Sequence, residues 1–262
     1  MICDIITYNG ERELFAIRYE ILKDLVDEFR VIEFDKTFSG KPRTRLFNQN
    51  LPKVTSYFIT EDTWSKYEDL AKSSPNTQYG KGAEHWIREF CMKESIKDCL
   101  TDLKDEDVVF IGDCDEIYDM TDSRLLIPDA RRPHLNKVKL RVYSYWLNNL
   151  SNEEFAGTLY GEYKHIKDQC LNHLRANSPI TPFYSGWHFT SMGGHEKVKD
   201  KLTDSYTKDS YANDWVLDNL QNNITNNKDF LGRGFEYKID EENWPKYLKE
   251  NENKYKHLLR HE

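Results

Sequence analysis

The chain has 262 residues and a formal net charge of −8 at pH 7. This length allows one large domain or two small ones, and it leaves enough chain for a proper core. The net negative charge excludes a protein that binds along the phosphate backbone of a nucleic acid, unless its basic residues are clustered on one part of the surface. The five cysteines form no CxxC pair, which argues against a disulfide framework or a zinc site and favours a reducing compartment.

No apolar run approaches the roughly 18 residues that a membrane span needs. The chain starts with "MICDIITY", without the basic region and cleavage site of a signal peptide. We therefore expect a soluble, cytoplasmic protein that has no transmembrane segment and no nucleic-acid partner. There is no linker long enough to divide the chain, so a single domain over residues 1–262 is predicted.

The first half alternates between strand and helix signals. "ICDIITY" is typical of a buried strand, "NGERELFAIRYEILKDLVDEF" of an amphipathic helix, and "RVIEF" of a second strand. Further along, "EHWIREFCMKESIKDCLTDLK" predicts a helix that leads into the strand "DVVFIGD". This alternation predicts an α/β fold with a mostly parallel central sheet flanked by helices. Such sheets bind ligands at the carboxyl ends of their strands.

The second half is less regular. "NKVKLRVYSYWLNNL" predicts a strand, and the Gly- and aromatic-rich "TPFYSGWHFTSMGGH" predicts a loop. The Asn-rich "NLQNNITNNKDF" is interpreted as a surface excursion. "NWPKYLKENENKYKHLL" predicts a C-terminal helix that begins near Pro245.

A dense acidic cluster ends the strand "DVVFIGD", in the stretch "DVVFIGDCDEIYDM". Residues two apart in an extended segment share a face, so Asp113 and Asp115 point the same way and Cys114 points away. Two carboxylates at that spacing repel each other unless a cation lies between them. Mn²⁺ or Mg²⁺ bound to substrate phosphates would supply that cation. The alternative is an acidic strand end exposed to water, or the N-cap of a helix.

Four segments occur in an order that resembles glycosyltransferase family 17, the family of β-1,4-mannosyl-glycoprotein 4-β-N-acetylglucosaminyltransferases. They are "EFDKTFSGKPR", "GDCDEI", "GWHFTSMGG" and "FLGRGFEYKIDEENWPKYLKENENKYKHL". The chain departs from the family pattern at Tyr118, where the family usually has Pro, and at Lys93 and Ser95 in the preceding helix. The resemblance implies a GT-A-type nucleotide-sugar transferase fold with a C-terminal helix. It also implies transfer of a sugar, N-acetylglucosamine, from a UDP-sugar donor to a glycan acceptor.

The resemblance implies roles for the candidate site residues. Asp115 would bind the metal directly, Asp113 would contact the ribose or a metal-bound water, and His188 would complete the metal shell. Four basic residues could contact the nucleotide or the diphosphate: Arg233, Lys41, Arg43 and Arg88. For each of them the alternative is a solvated or purely structural role. Trp187 and Phe189 either stack on sugar faces or belong to the core.

An inverting transfer needs a general base to remove the proton of the acceptor hydroxyl. The acidic residues after the Gly-rich segment are candidates, and the sequence does not choose between them: Glu196, Asp204, Asp209 and Asp214. Glu196 and Asp214 are marginally favoured.

Two other classes of protein remain as alternatives. "IEFDKT" resembles the phosphorylation motif of haloacid-dehalogenase-type phosphohydrolases, with Asp35 as nucleophile. That class accounts for neither "GWHFTSMGG" nor "FLGRGF". A non-catalytic carbohydrate-binding protein would explain the abundant Trp and Tyr, but it would not need paired carboxylates behind a buried strand.

Overall fold

The computed structural model describes residues 1–74, 83–122, 124–125, 135–206 and 210–261. Within these ranges nine β-strands form one sheet. The strands are β1 Ile2–Thr7, β2 Glu28–Phe34, β3 Val54–Ile59, β4 Val108–Asp113, β5 Glu116–Tyr118, β6 Leu135–Ser144, β7 Asn149–Glu162, β8 Ile180–Thr190 and β9 Tyr237–Ile239.

Helices pack on both faces of the sheet. The α-helices of the described ranges are α1 Arg12–Leu22, α2 Glu61–Trp64, α3 Glu68–Ser73, α4 Glu84–Ser95, α5 Leu171–Asn177, α6 Gly194–Ser205, α7 Asp214–Thr225, α8 Lys246–Glu250 and α9 Glu252–Tyr255. Short 3₁₀ turns extend several of them, such as Ile96–Cys99 after α4. None of these described helices is long and apolar enough to cross a membrane.

The predicted α/β class is confirmed, but the sheet is mixed rather than mostly parallel. Its order is β3-β2-β1-β4-β7-β6-β8-β5, with β9 paired to β7. The β3-β2-β1-β4 half is parallel, as the β-α-β pattern predicts, and β6 also runs parallel to β8. The β4–β7, β6–β7, β5–β8 and β7–β9 pairs are antiparallel. The alternation of strands and helices stops after β4, so the second half pairs largely by antiparallel neighbours.

The central strands are buried on both faces, which explains their continuous apolar sequences. On β1, Ile5 packs into a cluster with Phe90 and Met92 of α4. Ile6, on the opposite face, packs with Phe15 of α1 and its neighbours. Because successive side chains of a strand alternate between faces, one strand joins two hydrophobic layers. The helix stripes that the sequence predicts therefore have their apolar partners.

The structure corrects two segments of the second half. The predicted loop "TPFYSGWHFTSMGGH" is mostly strand β8, which lies between β6 and β5. Gly186 makes this possible because its φ is +138° and a Cβ there would lie 2.3 Å from the backbone oxygen of Ile117. The predicted Asn-rich surface excursion is largely helix α7, whose N-cap Asn213 accepts a hydrogen bond from the Val216 amide at 3.0 Å. Val216, Leu220 and Ile224 bury its apolar side.

The predicted C-terminal helix is present as two short helices, α8 and α9, which follow Pro245. Leu248 and Tyr255 anchor them in the core. Of these two helices, α8 contacts α1.

Candidate functional site

A cleft with two lobes opens at the carboxyl ends of β1, β2 and β4. Each lobe has a volume of about 570 Å³. The first lobe lies beside the loops after β1 and β2, and Lys36 and Arg43 line it. The second lobe lies over β7 and β8 and is lined by aromatic and acidic side chains. Glu11, Asp115 and Lys201 line both lobes, so they mark the junction between them.

Asp115 is the buried carboxylate at this junction, with a side chain that is 7% exposed. The ammonium of Lys201 lies 3.1 Å from its Oδ2 and Nε2 of His188 lies 3.6 Å from the same oxygen. Burial alone would raise the pKa of Asp115, but Lys201 and His188 outweigh it and hold the pKa well below its ordinary value. The carboxylate is therefore charged and points at the space where the lobes meet.

Asp113 is the second carboxylate of the pair. Its Oδ1 accepts a hydrogen bond from the Thr7 hydroxyl at 2.6 Å, and Nη2 of Arg175 lies 3.2 Å from its Oδ2. Lys93 lies 3.7 Å from Oδ2 as well. Burial raises the pKa of Asp113, but the positive charges of Lys93 and Arg175 lower it by more than burial raises it. The pKa of Asp113 therefore lies below its ordinary value. Asp113 lines the second lobe only.

A buried ion pair beneath the site fixes the backbone between these carboxylates. Arg18 of α1 donates to both carboxylate oxygens of Asp4, at 2.7 and 2.6 Å, and both side chains are fully buried. Its remaining group, Nη1, donates to the carbonyl oxygens of Asp113 at 3.2 Å and Glu116 at 2.6 Å. The turn that carries Asp115 is thereby held by a rigid, planar donor.

Glu116 completes the network and is only 1% exposed. Its Oε1 accepts from Arg175 at 2.9 Å and its Oε2 from the Thr158 hydroxyl at 3.2 Å. Gly157 leaves the room for it, because a Cβ at that position would lie 2.5 Å from the Glu116 carboxyl carbon. Glu116 is thus part of the wall of the site, and Arg175 links it to Asp113.

The residues at the junction provide two suitable donors for a divalent cation. The Asp115 carboxylate and the His188 imidazole both suit Mn²⁺. Nδ1 of His188 is buried and has no hydrogen-bond partner among the described residues, and the ring stacks on Phe155 at 4.1 Å. The described part of the chain contains no group of three metal-binding side chains. A cation here would therefore take the rest of its shell from phosphate oxygens and water.

The structure brings only two of the four predicted basic residues to the cleft. Arg43 lines the first lobe and donates to the Asn9 side chain at 2.6 Å. Arg233 lines the second lobe. Lys41 lines neither lobe and instead pairs with Asp204 at 2.9 Å. Arg88 also lies outside the lining and donates to the Phe38 carbonyl at 2.5 Å, so it supports the loop after β2.

The two favoured bases lie outside the cleft lining. The Glu196 side chain is 72% exposed and pairs with His195, and Asp214 is exposed in the first turn of α7. Asp204 lines the first lobe but is tied to Lys41. Asp209 lies outside the residues that the structure describes.

Trp187 is a core residue that lines neither lobe, whereas Phe189 is a core residue that also lines the first lobe. Trp187 is 6% exposed and Phe189 is fully buried. Asp35 also lies outside both lobes, with one oxygen accepting from the Trp64 indole and the other from the Glu61 amide, both at 2.9 Å. A phosphohydrolase nucleophile at Asp35 is therefore not placed at this cleft.

Sequence reasoning missed several charged residues of the cleft, among them Lys93, Glu153, Arg175 and Lys201. Each lies on an amphipathic helix or a strand far along the chain from Asp115, where a lone charged residue looks like a solvated surface position. Lys201 is the one with a local signal, since it follows the Gly193–Gly194 pair that begins α6 close to Asp115.

Comparison with known proteins identifies the family. The family model for glycosyltransferase family 17 matches residues 1–229, and the chain belongs to this family. The predicted resemblance is thereby confirmed, although the last of the four resembling segments, from Phe230 onward, lies beyond the matched residues.

The curated relatives carry one name, β-1,4-mannosyl-glycoprotein 4-β-N-acetylglucosaminyltransferase. The human and rat proteins are each 30% identical to this chain over 116 residues, and the mouse protein is 29% identical. The match covers 44% of this chain and only 21% of each relative, about a fifth of their length.

Among solved structures, the galactosyltransferase LgtC with donor and acceptor sugar analogues matches with a TM-score of 0.34 and 12% identity, over 64% of this chain and 60% of LgtC. Mouse xyloside xylosyltransferase 1 matches with a TM-score of 0.30 and 8% identity, over 66% of this chain and 70% of that one.

Proposed function

We propose that this protein is a metal-assisted, inverting glycosyltransferase of the GT-A type. It moves N-acetylglucosamine from UDP-N-acetylglucosamine to a glycan hydroxyl and forms a β linkage. The observation that carries the proposal is the position of Asp115, a charged and nearly buried carboxylate at the junction of two lobes. Family membership supports the reaction class, and the name of the relatives supports the sugar.

The charges of the two lobes favour the first lobe for the nucleotide. Five cationic and five acidic side chains line the first lobe, whereas four cationic and seven acidic side chains line the second. A diphosphate is therefore less strongly repelled in the first lobe. Lys201 and Arg43 are the donors best placed to bind its oxygens there.

The second lobe suits a neutral sugar. Eight aromatic residues line it, against two in the first lobe. Aromatic rings provide apolar faces for the C–H groups of a sugar, and acidic groups accept hydrogen bonds from its hydroxyls. The acceptor glycan is accordingly proposed to bind in the second lobe.

Asp115 and His188 would hold the divalent cation, which would act as a Lewis acid on the departing diphosphate. Asp113 is set back from the junction by Arg175 and Lys93, which suits contact with the ribose or with an ordered water. Lys201 contributes a fixed positive charge at the same place.

The experiment is a screen of UDP- and GDP-sugars with a pool of glycan acceptors, with nucleotide release measured and product anomers read by NMR. We expect consumption of UDP-N-acetylglucosamine and a β-linked product. Exclusive use of GDP-mannose would refute the donor, and an α-linked product or a trapped glycosyl-enzyme would refute inversion.

A further inference from the structure

Glu153 of β7 is a carboxylate in the second lobe that the metal and nucleotide roles do not use. Its side chain is 21% exposed, and Oε1 accepts a hydrogen bond from Nη1 of Arg233 at 3.1 Å. Among the described residues Oε2 receives no hydrogen bond. One oxygen is therefore fixed in place by Arg233, and the residue lines the second lobe.

The remaining carboxylates of the second lobe have other partners. Asp229 is 1% exposed and accepts from the amide, Nε and Nη2 of Arg233. Glu89 pairs with Lys93 at 2.8 Å, and Glu116 is buried against Arg175. Glu11 accepts from the Asn9 amide at 2.6 Å in the loop after β1. Glu11, Glu89 and Glu153 each have one oxygen engaged in this way, and Glu153 is the one of the three that an arginine holds and that lies on β7, the strand whose Phe155 contacts His188.

A chain of contacts connects Glu153 to the donor end of the cleft. Phe155 follows two residues later on β7 and lines the same lobe as Glu153. Phe155 stacks on His188 at 4.1 Å, and His188 lies 3.6 Å from Asp115. The Phe155–His188 pair thus links the β7 side of the second lobe to Asp115.

We propose that Glu153 is the general base of the transfer and that Arg233 positions it. This inference rests on the proposed function and deepens it. The acceptor hydroxyl gives its proton to Oε2 of Glu153 while the hydroxyl oxygen forms a bond to the anomeric carbon of the donor. The bond from that carbon to the diphosphate oxygen breaks on the opposite face, and the electron pair leaves with UDP. Arg233, predicted to bind phosphate, has the role of a positioning residue on the acceptor side instead.

The test compares Glu153→Gln with the wild type, using UDP-N-acetylglucosamine with water or with the pooled glycans as acceptors. Gln keeps the size of the side chain and can still accept the Arg233 hydrogen bond, but it cannot take a proton. We expect kcat to fall by about 10²–10⁴-fold, with the Kd for UDP unchanged. The acid limb of the pH profile of kcat should vanish, and formate should partly restore Glu153→Ala.

Glu154→Gln is the matched control, because Glu154 points to the opposite face, is 76% exposed and pairs with Lys139. It should retain full activity. Near-normal kcat in Glu153→Gln, or an equal loss in Glu154→Gln, would overturn the assignment. So would a wild type that binds UDP but turns over no donor with either acceptor, because a base in this lobe should also activate water. A wild type that binds no UDP would instead overturn the proposed function.

Discussion

Arg18 and Asp4 form a fully buried, two-bonded ion pair directly beneath the turn that carries Asp113 and Asp115. Because the third donor group of Arg18 holds the carbonyls of Asp113 and Glu116, the pair links core packing to the geometry of the site. Removing one member of such a pair leaves an uncompensated buried charge, which is far more costly than removing both.

We therefore predict that Arg18→Met lowers the free energy of unfolding by about 3–5 kcal/mol. The double variant Arg18→Met with Asp4→Leu should recover a large part of that loss, because no buried charge then remains unpaired. Urea denaturation measures both, with Lys23→Met as a surface control. If the double variant loses as much free energy of unfolding as the two single variants together, the pair is not coupled.

Lys201 should contribute charge to nucleotide binding independently of a metal. We expect Lys201→Met to weaken UDP binding in EDTA by about 10–100-fold, as for loss of a hydrogen bond to a charged group. Lys199→Met is the control, since Lys199 is on the same helix but lines neither lobe. Calorimetry that gives equal losses for the two variants would mean that only general surface charge matters.

Stability should depend on pH through Asp102. Hydrogen bonds from the buried Arg30 guanidinium, at 2.6 and 2.7 Å, lower the pKa of Asp102 in the folded state. The stabilisation is then present above the unfolded pKa of about 4 and is lost as the pH falls through the lower folded pKa. We expect the free energy of unfolding of the wild type to fall more steeply below about pH 4 than that of Asp102→Asn. Parallel curves would contradict this.

Trp215 should extend the acceptor site beyond one sugar. It is 56% exposed, and its ring lies against Gly232, beside Arg233 of the second lobe. We predict that Trp215→Ala lowers kcat/KM for oligosaccharide acceptors by about tenfold, without changing hydrolysis of the donor by water. Loss of both activities to the same extent would indicate a structural role only.

The parts of the site that the sequence predicts are those with local signals. A buried strand that ends in Asp-x-Asp places Asp113 and Asp115 at a ligand-binding edge, because strand burial and alternation are properties of one short segment. Arg43 lies in the loop after β2 and lines the cleft, whereas Lys41 of the same loop does not. Glu153 escapes prediction because only tertiary packing brings β7 into the cleft, and for Lys201 the local signal is limited to the Gly193–Gly194 pair at the start of α6.

The difference between local sequence signals and tertiary packing also explains the sequence predictions that the structure does not match. Glu196 is near Lys201 in sequence but lies on another face of α6, and the sequence carries no signal for which face meets the cleft. "TPFYSGWHF" looks like a loop because of its glycine and proline, whereas Gly186 in fact allows β5 and β8 to approach closely.

The central claim is that Asp115 binds a cation that in turn binds a nucleotide diphosphate. Calorimetry of UDP binding with Mn²⁺ and with EDTA tests it most directly, on the wild type, Asp115→Ala and the control Asp119→Ala, which lines neither lobe. We predict that Mn²⁺ tightens UDP binding by at least about tenfold, or 1.4 kcal/mol, in the wild type and Asp119→Ala. In a folded Asp115→Ala this increment should disappear. Equal affinity with Mn²⁺ and EDTA in the wild type, or an intact increment in Asp115→Ala, would contradict the account.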